Sequence, residues 1–391
     1  MSTWVRLSRR AVLALAVAAA VRVHGGEGGQ SWKAAIIGHT GRGNYGHGMD
    51  EVFTGVAGVE VVAVADPDEA GRQKAAQRSG AKRQYADYRE MLEKERPGLV
   101  CVGPRWIGEH RDMAMAAIDA GAHVFCEKPF TPTLVQADDV LGAAGKKKLR
   151  IAVAHQIRLA PPVVYLKQKI AEGLIGDLQQ IRAYGKQDAR AGGEDMMVLG
   201  VHLFDLMRMF AGDPAACTAS VQWKGHDITA ADARRAEEEI GPIAGDLVEA
   251  QFAFGGGVTG TFTSRAKLRE FSGHWGIELV GSRGAARILA DIWPSVFFMK
   301  ATAWEPGGRT DAWRAIEGDP GVNATAKERS ALVANRRLVE DWLDAIAHDR
   351  EPACSGYNAM KAIEMVMAVY RAALGGTRVA LPLEERDHPL A

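Results

Sequence analysis

From Lys33 the chain alternates short apolar runs with longer stretches of helical period. Ala34 to Ile37, Val59 to Ala65, Leu99 to Val102 and His123 to Cys126 are nearly unbroken apolar segments rich in Val and Ile, the pattern of strands buried on both faces. Between them Glu69 to Arg78, Asp87 to Glu95 and Arg111 to Ala120 carry apolar residues at helical spacing. Strand and helix in alternation predict βαβ units and a parallel sheet. After Pro161 to Glu172, also helical in pattern, the chain becomes β-rich through Leu178 to Tyr184, Thr218 to Trp223, Leu247 to Phe254, Val258 to Ser264, Trp275 to Val280 and Ala286 to Leu289. Leu338 to Ala347 and Asn358 to Ala373 then return to the helical period. We therefore divide the chain into a leader over 1–30, a first α/β domain over 31–156 and a second α/β domain over 157–391.

The leader has its own pattern. No acidic residue precedes Glu27, and Arg6, Arg9 and Arg10 stand before an uncharged stretch from Ala11 to Val21. Eleven residues rise only about 16 Å as a helix, too little for a hydrocarbon core of roughly 30 Å, so no stable membrane insertion is expected. Ser8-Arg9-Arg10-Ala11-Val12-Leu13 resembles a twin-arginine export signal, and Ala18-Ala19-Ala20 offers a small-residue cleavage site. The expected location is the periplasm.

Composition narrows the chemistry. The 391 residues hold 48 Lys+Arg against 48 Asp+Glu, and such neutrality gives no field to hold a polyanion, which argues against a nucleic-acid partner. Cleavage after Ala20 would remove three arginines and leave a net charge of −3. The cysteines, Cys101, Cys126, Cys217 and Cys354, form no C-x-x-C pair, so no metal site is expected. Cys101 and Cys126 lie in strand-like runs and read as core residues.

Gly38-His39-Thr40-Gly41-Arg42-Gly43 follows the first strand directly. Glycines at such a turn let the backbone approach a pyrophosphate at a helix N-terminus. The middle glycine of the strict pattern is Thr40 here, with Gly41 beside it. The second strand ends at Asp66, 23 residues beyond Gly43, where an acid can hydrogen-bond ribose hydroxyls and oppose a 2′-phosphate. NAD is thus expected over NADP, with Arg72 one turn onward as the residue that keeps NADP open.

Cys126-Glu127-Lys128-Pro129 closes the run from His123. With it the sequence resembles the glucose-fructose oxidoreductase / inositol dehydrogenase / MocA family, whose signature E-K-P stands at the end of the fifth strand. His110 after Pro104, Gly121-Ala122-His123-Val124, and His155-Gln156-Ile157-Arg158 agree with that resemblance, which spans about Lys33 to Leu383. Ala230 to Asp246 look like the secreted, planctomycete-type branch. The resemblance implies a Rossmann domain followed by an α/β domain with a large, mostly antiparallel, open-faced sheet, and assembly into a dimer or tetramer. It further implies that Lys128 lies beside the nicotinamide and the substrate hydroxyl, and that Pro104, Arg105, His110 and Glu127 join the glycine loop and Asp66 around the cofactor.

The stretch Gly192-Gly193-Glu194-Asp195-Met196-Met197-Val198-Leu199-Gly200-Val201-His202-Leu203-Phe204-Asp205 resembles the family's G-G-G-x-x-x-D-x-G-x-H-x-x-D helix, in which the first Asp and the His form a catalytic pair. This chain has Val198 at the acid's position. On a regular helix Asp195, His202 and Asp205 share a stripe, so Asp195, or Glu194, stands in for the missing acid if the helix begins early; otherwise Asp195 is an N-cap. The expected catalytic set is Lys128, His202 and Asp195. Lys128, Arg158, Lys186, Arg190, His202 and Asp205 are the expected substrate contacts, with Asp188 near them.

These residues point to an NAD-dependent oxidoreductase acting on a secondary hydroxyl of a sugar, polyol or glycoside, with tightly bound NAD if the protein is exported. The alternatives are cleavage of a glycoside through transient oxidation, and a sugar-binding protein on a dehydrogenase scaffold.

Overall fold

The computed structural model describes residues 31–236, 238–266, 274–300 and 312–391; the leader lies outside them. Six strands, β1 (Trp32–Ile37), β2 (Val59–Ala65), β3 (Arg83–Tyr85), β4 (Leu99–Val102), β5 (His123–Cys126) and β6 (Ile151–Val153), form a parallel sheet in the order β3-β2-β1-β4-β5-β6. This is the doubly wound order in which ligands bind beyond the carboxyl ends of the strands. The helices α1 (Glu69–Ser79), α2 (Tyr88–Glu95) and α3 (His110–Asp119) match the expected periodic segments, and α4 (Leu134–Lys146) is a further helix that the sequence reading did not include. The carboxylates of Asp68 and Asp87 cap α1 and α2, and Thr133 caps α4.

One crossover departs from expectation. Between β1 and β2 the chain forms loops and a single 3-10 turn, Met49–Glu51, so no helix N-terminus follows the glycine loop. Seven glycines lie within 38–58, and six of them, from Gly41 to Gly58, have positive φ, a conformation that an α-helix cannot contain. A helix from the far end of the chain covers this face instead. Leu338, Val339 and Trp342 pack with Ile36, Met49, Phe53 and Phe125 in one buried cluster. Asn335 and Arg336 donate to the carbonyls of His47 and Thr54 at 3.0 and 2.7 Å. The segment from Ala331 to Cys354 thus belongs to the core of the first domain, across the division placed at 156/157.

After α5 (Pro161–Ala171) come β7 (Leu178–Tyr184), an α-turn Gly193–Asp195, a π turn Met196–Gly200 and α6 (Val201–Ala211). The second sheet adds β8 (Ala216–Trp223), β9 (Leu247–Ala253), β10 (Thr259–Arg265), β11 (Gly276–Gly281), β12 (Gly284–Leu289) and β13 (Ser295–Met299). Its central order is β13-β12-β11-β7-β10-β9-β8, antiparallel except for the parallel pair β7/β10. Period-two alternation turns Ile181, Val248, Phe252, Phe262 and Leu279 inward. They join residues of α6 and α8 (Gly356–Gly375) in the larger core; α7 is the helix Ala331–Ala347 described above. Gln180, Arg182, Glu249 and Gln251 face outward from the same strands. The four cysteines are free and buried.

Candidate active site

The loop after β1 is a small closed hairpin. His39 and Asn44 exchange backbone hydrogen bonds of 3.1 and 2.9 Å, and the Gly41 amide donates to Asn44 Oδ1 at 2.9 Å. Gly43 has φ +87°, and a Cβ there would meet the backbone nitrogens of Trp106 and Arg105 at 2.4 and 2.5 Å. Only glycine lets this loop touch the loop after β4, a contact sealed by the Arg105 amide donating to the Gly43 carbonyl at 3.1 Å.

Beside the hairpin lies a cavity of about 250 Å³ lined by Gly38, His39, Asp66, Asp87, Tyr88 and Glu109 among others. Asp66 sits at its wall with no exposed surface. Its carboxylate accepts from the Thr40 amide at 3.0 Å, the Thr40 hydroxyl at 2.8 Å and the Asp68 amide at 2.9 Å. Asp66 therefore fixes the loop that it was expected to face across a ribose. Arg72, the residue that favoured NADP, donates to the Asp66 carbonyl at 2.6 Å. With Asp66, Asp87 and Glu109 on its lining, this cavity repels a 2′-phosphate.

A second cavity, about 180 Å³, is lined by His47, Lys128, Gln156, Lys186, His202 and Trp275 among others. The 38–48 loop borders both spaces, through Gly38 and His39 at one and His47 at the other. Lys128 leaves the end of β5 and is almost wholly buried, with its Nζ donating to the Val198 carbonyl at 3.2 Å. Burial pushes its pKa down, against the opposing pull of Glu127 and Glu238. Glu127 is fully buried and accepts from the Lys128 amide at 2.7 Å and from the His47 amide at 3.0 Å, with the His47 imidazole also in contact. Burial would raise the Glu127 carboxyl, but the His47 hydrogen bond and the charges of His47 and Lys128 hold it below the usual range.

His202, on α6, has ring centroids of Trp275 at 6.0 Å and His155 at 5.1 Å from its own, both rings tilted against it. Burial drives its pKa well below the ordinary imidazole value, and His155, Lys128 and His47 add to the effect. Behind His155 stands Asp205, whose Oδ1 accepts from Arg158 at 2.7 Å.

The structure does not bring Asp195 to this group. Its carboxylate accepts from the amides of Lys186 and Gln187, each at 3.2 Å, and from the Ser264 hydroxyl at 2.6 Å. The π turn explains the error: i→i+5 closure over Met196–Gly200 breaks the 3.6-residue phase that placed Asp195 and His202 on one stripe. Other expectations are corrected too. His110, buried on α3, bridges the carbonyls of Pro104 and Phe130 at 2.7 and 3.0 Å and lines neither cavity. It braces the loops after β4 and β5. Arg158 and Asp205 pair with each other and lie off the cavity lining, and Arg190 forks onto Asp188. Arg42 pairs with Glu109 and Glu239, and Arg105 with Glu238. Of the expected substrate contacts, Lys128, Lys186 and His202 line the second cavity.

His47, Trp275 and Asp291 are lining residues that sequence reading missed. His47 stands in Gly46-His47-Gly48, where a polar residue between two glycines was a usable signal. Trp275 and Asp291 come from the second sheet and its edge, with nothing in the sequence tying them to Lys128.

A family profile described as "Oxidoreductase family, NAD-binding Rossmann fold" matches residues 32–155, and its companion "Oxidoreductase family, C-terminal alpha/beta domain" matches 167–381. D-apiose dehydrogenase from Paraburkholderia graminis is 25% identical over 374 residues, covering 92% of each chain. Levoglucosan dehydrogenase from Pseudarthrobacter phenanthrenivorans is 25% identical over 251 residues, 58% of this chain and 63% of that one. Among solved structures, a levoglucosan dehydrogenase complex with NADH superposes with TM-score 0.73 at 18% identity, covering 90% of this chain and 100% of the other. An Agrobacterium radiobacter oxidoreductase in complex with NAD+, L-tartaric acid and magnesium gives TM-score 0.68 at 18% identity over 90% of this chain and 98% of that one. At such identity these superpositions speak for the fold. The residues fit the NAD that the matched profile specifies: a loop whose close approach needs Gly43, and an acid-lined cavity that opposes the extra phosphate of NADP.

Proposed function

The chain belongs to the Gfo/Idh/MocA family of NAD-dependent oxidoreductases, and from that premise we propose that it oxidises a secondary hydroxyl of a sugar, polyol or glycoside with tightly held NAD. The observation that carries this reading is the convergence of Lys128 and His202 on one cavity beside Trp275. A ring such as Trp275 offers the flat apolar surface on which a sugar face packs. Bound NAD would supply the hydride acceptor for the carbinol carbon. The hydroxyl proton must leave with the hydride, and a base in its neutral form, with a pKa near the working pH, takes it most readily. Burial lowers Lys128 from the ordinary amine value and disfavours a resting charge on His202, which leaves the His202 imidazole a nitrogen free to take the proton. Lys186, about a third exposed and 3.9 Å from Asp188, is placed to hold further hydroxyls.

Tight retention is supported by an acidic segment of the second domain. Glu238 and Glu239 reach Arg105 and Arg42 on the loops around the dinucleotide space. The leader Met1 to Gln30 and its arginine pair support export, and the outward Tyr184 and Leu289, 42% and 38% exposed on the second sheet, support pairing of two copies.

The test is to release nucleotide from the purified full chain by denaturation and identify it, then to incubate the protein with D-glucose, levoglucosan, D-apiose and methyl β-D-glucopyranoside and weigh the products. We expect bound NAD and a product lighter by two hydrogens. Cleavage of the methyl glucoside without net oxidation would favour the transient-oxidation scheme, while absence of nucleotide and of any product would overturn both. Lys128→Met should lower turnover by about 10²–10⁴.

A further inference from the structure

The family pattern places a carboxylate one helical turn before the histidine; this chain has Val198 there, and its carbonyl binds Lys128 Nζ. Support for His202 must come from another residue. Two buried nitrogens in the site, His202 Nδ1 and His155 Nδ1, have no hydrogen-bond partner among the described residues. They belong to rings whose centroids are 5.1 Å apart and inclined by 53°. Leaving such an atom unpaired is costly, and a pair of them in adjacent rings points to a working group. His155 Nδ1 also lies 3.8 Å from Asp205 Oδ2, within reach of a small turn of the imidazole. Asp205 is held for that approach by Arg158, which donates to its Oδ1 at 2.7 Å and to its backbone carbonyl at 3.0 Å.

We propose that His155, backed by Asp205, replaces the acid absent at 198: it is a positioning residue that orients His202 and stabilises the charge His202 acquires when it takes the substrate proton. This rests on the reading of His202 as a proton acceptor. In the step, the substrate O–H bond breaks as the carbinol C–H passes its electron pair to NAD+, the proton moves to the His202 imidazole, and the resulting cation is paired through His155 with the Asp205 carboxylate. His155 is drawn toward protonation by Asp205 and Glu127 and opposed by Arg158 and Lys128. His202 faces His155, Lys128 and His47; a charged His155 would oppose a positive charge on His202 as Lys128 and His47 do, so His155 supports that charge as a neutral ring with Asp205 behind it. The Cys354 thiol donates to the His155 carbonyl, at 3.5 Å, and leaves the imidazole free of it. Burial brings His155 down to about 4, so both rings are neutral at rest and the charge appears only during turnover.

The experiment is ¹⁵N-imidazole NMR of the NAD-loaded full chain, titrated from pH 8 to pH 3, for the wild type and for H155Q and V198D. We expect the resonances of His155 and His202 to shift together in the wild type, the His202 midpoint to move by at least half a pH unit in H155Q, and V198D to raise it. Independent wild-type titrations of the two rings, or a His202 midpoint unmoved in H155Q, would overturn the proposal; should H155Q fail to fold, the wild-type coupling alone decides. With the sugar from the panel that is turned over fastest, H155Q should lower kcat by about 10–100-fold with KM unchanged, and H155Q/V198D should recover at least tenfold. If H202N keeps full turnover, the proton-acceptor reading fails; if H202N is inactive while H155Q matches the wild type in rate and pH profile, only the role of His155 fails.

Discussion

At Gly43 a single hydrogen stands between two loops. With φ +87° and the nitrogens of Trp106 and Arg105 at 2.4 and 2.5 Å from a built Cβ, Gly43→Ala must push the β1 and β4 loops apart, because the obstacle is backbone. We expect a loss of roughly 1–3 kcal/mol of stability and at least a tenfold weaker hold on NAD, read by thermal unfolding with and without the nucleotide. Unchanged retention of NAD would show that the loop contact does not shape the cofactor space. Asp195 gives the contrasting case. Asp195→Asn would turn an NH₂ toward donors that now meet carboxylate oxygen, costing about 1–3 kcal/mol, while the pH profile of kcat keeps its shape because Asp195 does not touch His202. A shifted profile in that variant would restore the catalytic assignment made on helical spacing. Lys128 was legible because four consecutive residues carry it at a strand end, where the fold must present it. Asp195 was misread because a π turn has no signature in hydrophobic period, and His47 and Trp275 were illegible because their nearness to Lys128 exists only after folding.

At the scale of elements, the sequence disclosed three of the four helices and four of the strands of the first domain by period alone; α4 went unread, and β3 and β6, three residues each, are too short to show a period. It also disclosed an amphipathic helix near 338–347, but not its destination. Period tells which face of a helix is apolar, and any apolar surface can receive it. The deciding fact was a vacancy elsewhere: glycines remove the helix after β1, leaving Ile36, Met49 and Phe125 to be covered by Leu338, Val339 and Trp342 of α7. Trp342 is fully buried, 5.8 Å from the Phe125 ring, and its Nε1 donates to the Arg150 carbonyl at 3.1 Å. Trp342→Ala should therefore cost about 3–5 kcal/mol and, through Asn335 and its bond to His47, 288 residues apart in sequence, weaken NAD binding. Denaturant unfolding and nucleotide titration of the variant check both effects. A variant that loses stability while binding NAD as the wild type does would confine α7 to a covering role.

For the whole molecule, the return of α7 to the first sheet makes the two domains one folding unit, and the same interior burial sets its response to acid. His123, His155 and His388 are each brought down to about 4 by burial, and His110 and His202 are lowered for the same reason. An imidazole whose folded pKa lies below its unfolded value near 6.5 binds fewer protons in the native state, so unfolding takes up protons between the two values. Its stabilising contribution is complete above pH 6.5 and is lost as pH falls toward 4. For His155, almost wholly buried, that loss reaches about 3 kcal/mol at pH 4. Asp195 acts with the opposite sign, since burial raises its carboxyl and native-state protonation then favours the fold at low pH, but it is one group against five. Glu127 joins the histidines: its carboxyl, held low by His47, loses its stabilising charge as acid protonates it. Urea midpoints measured at pH 7.5, 6.5, 5.5 and 4.5 should fall slightly across the first interval and more steeply through the next two. A midpoint flat from pH 7.5 to 4.5 would mean that these imidazoles are hydrated in solution, and with them the site in which His155 and His202 face each other.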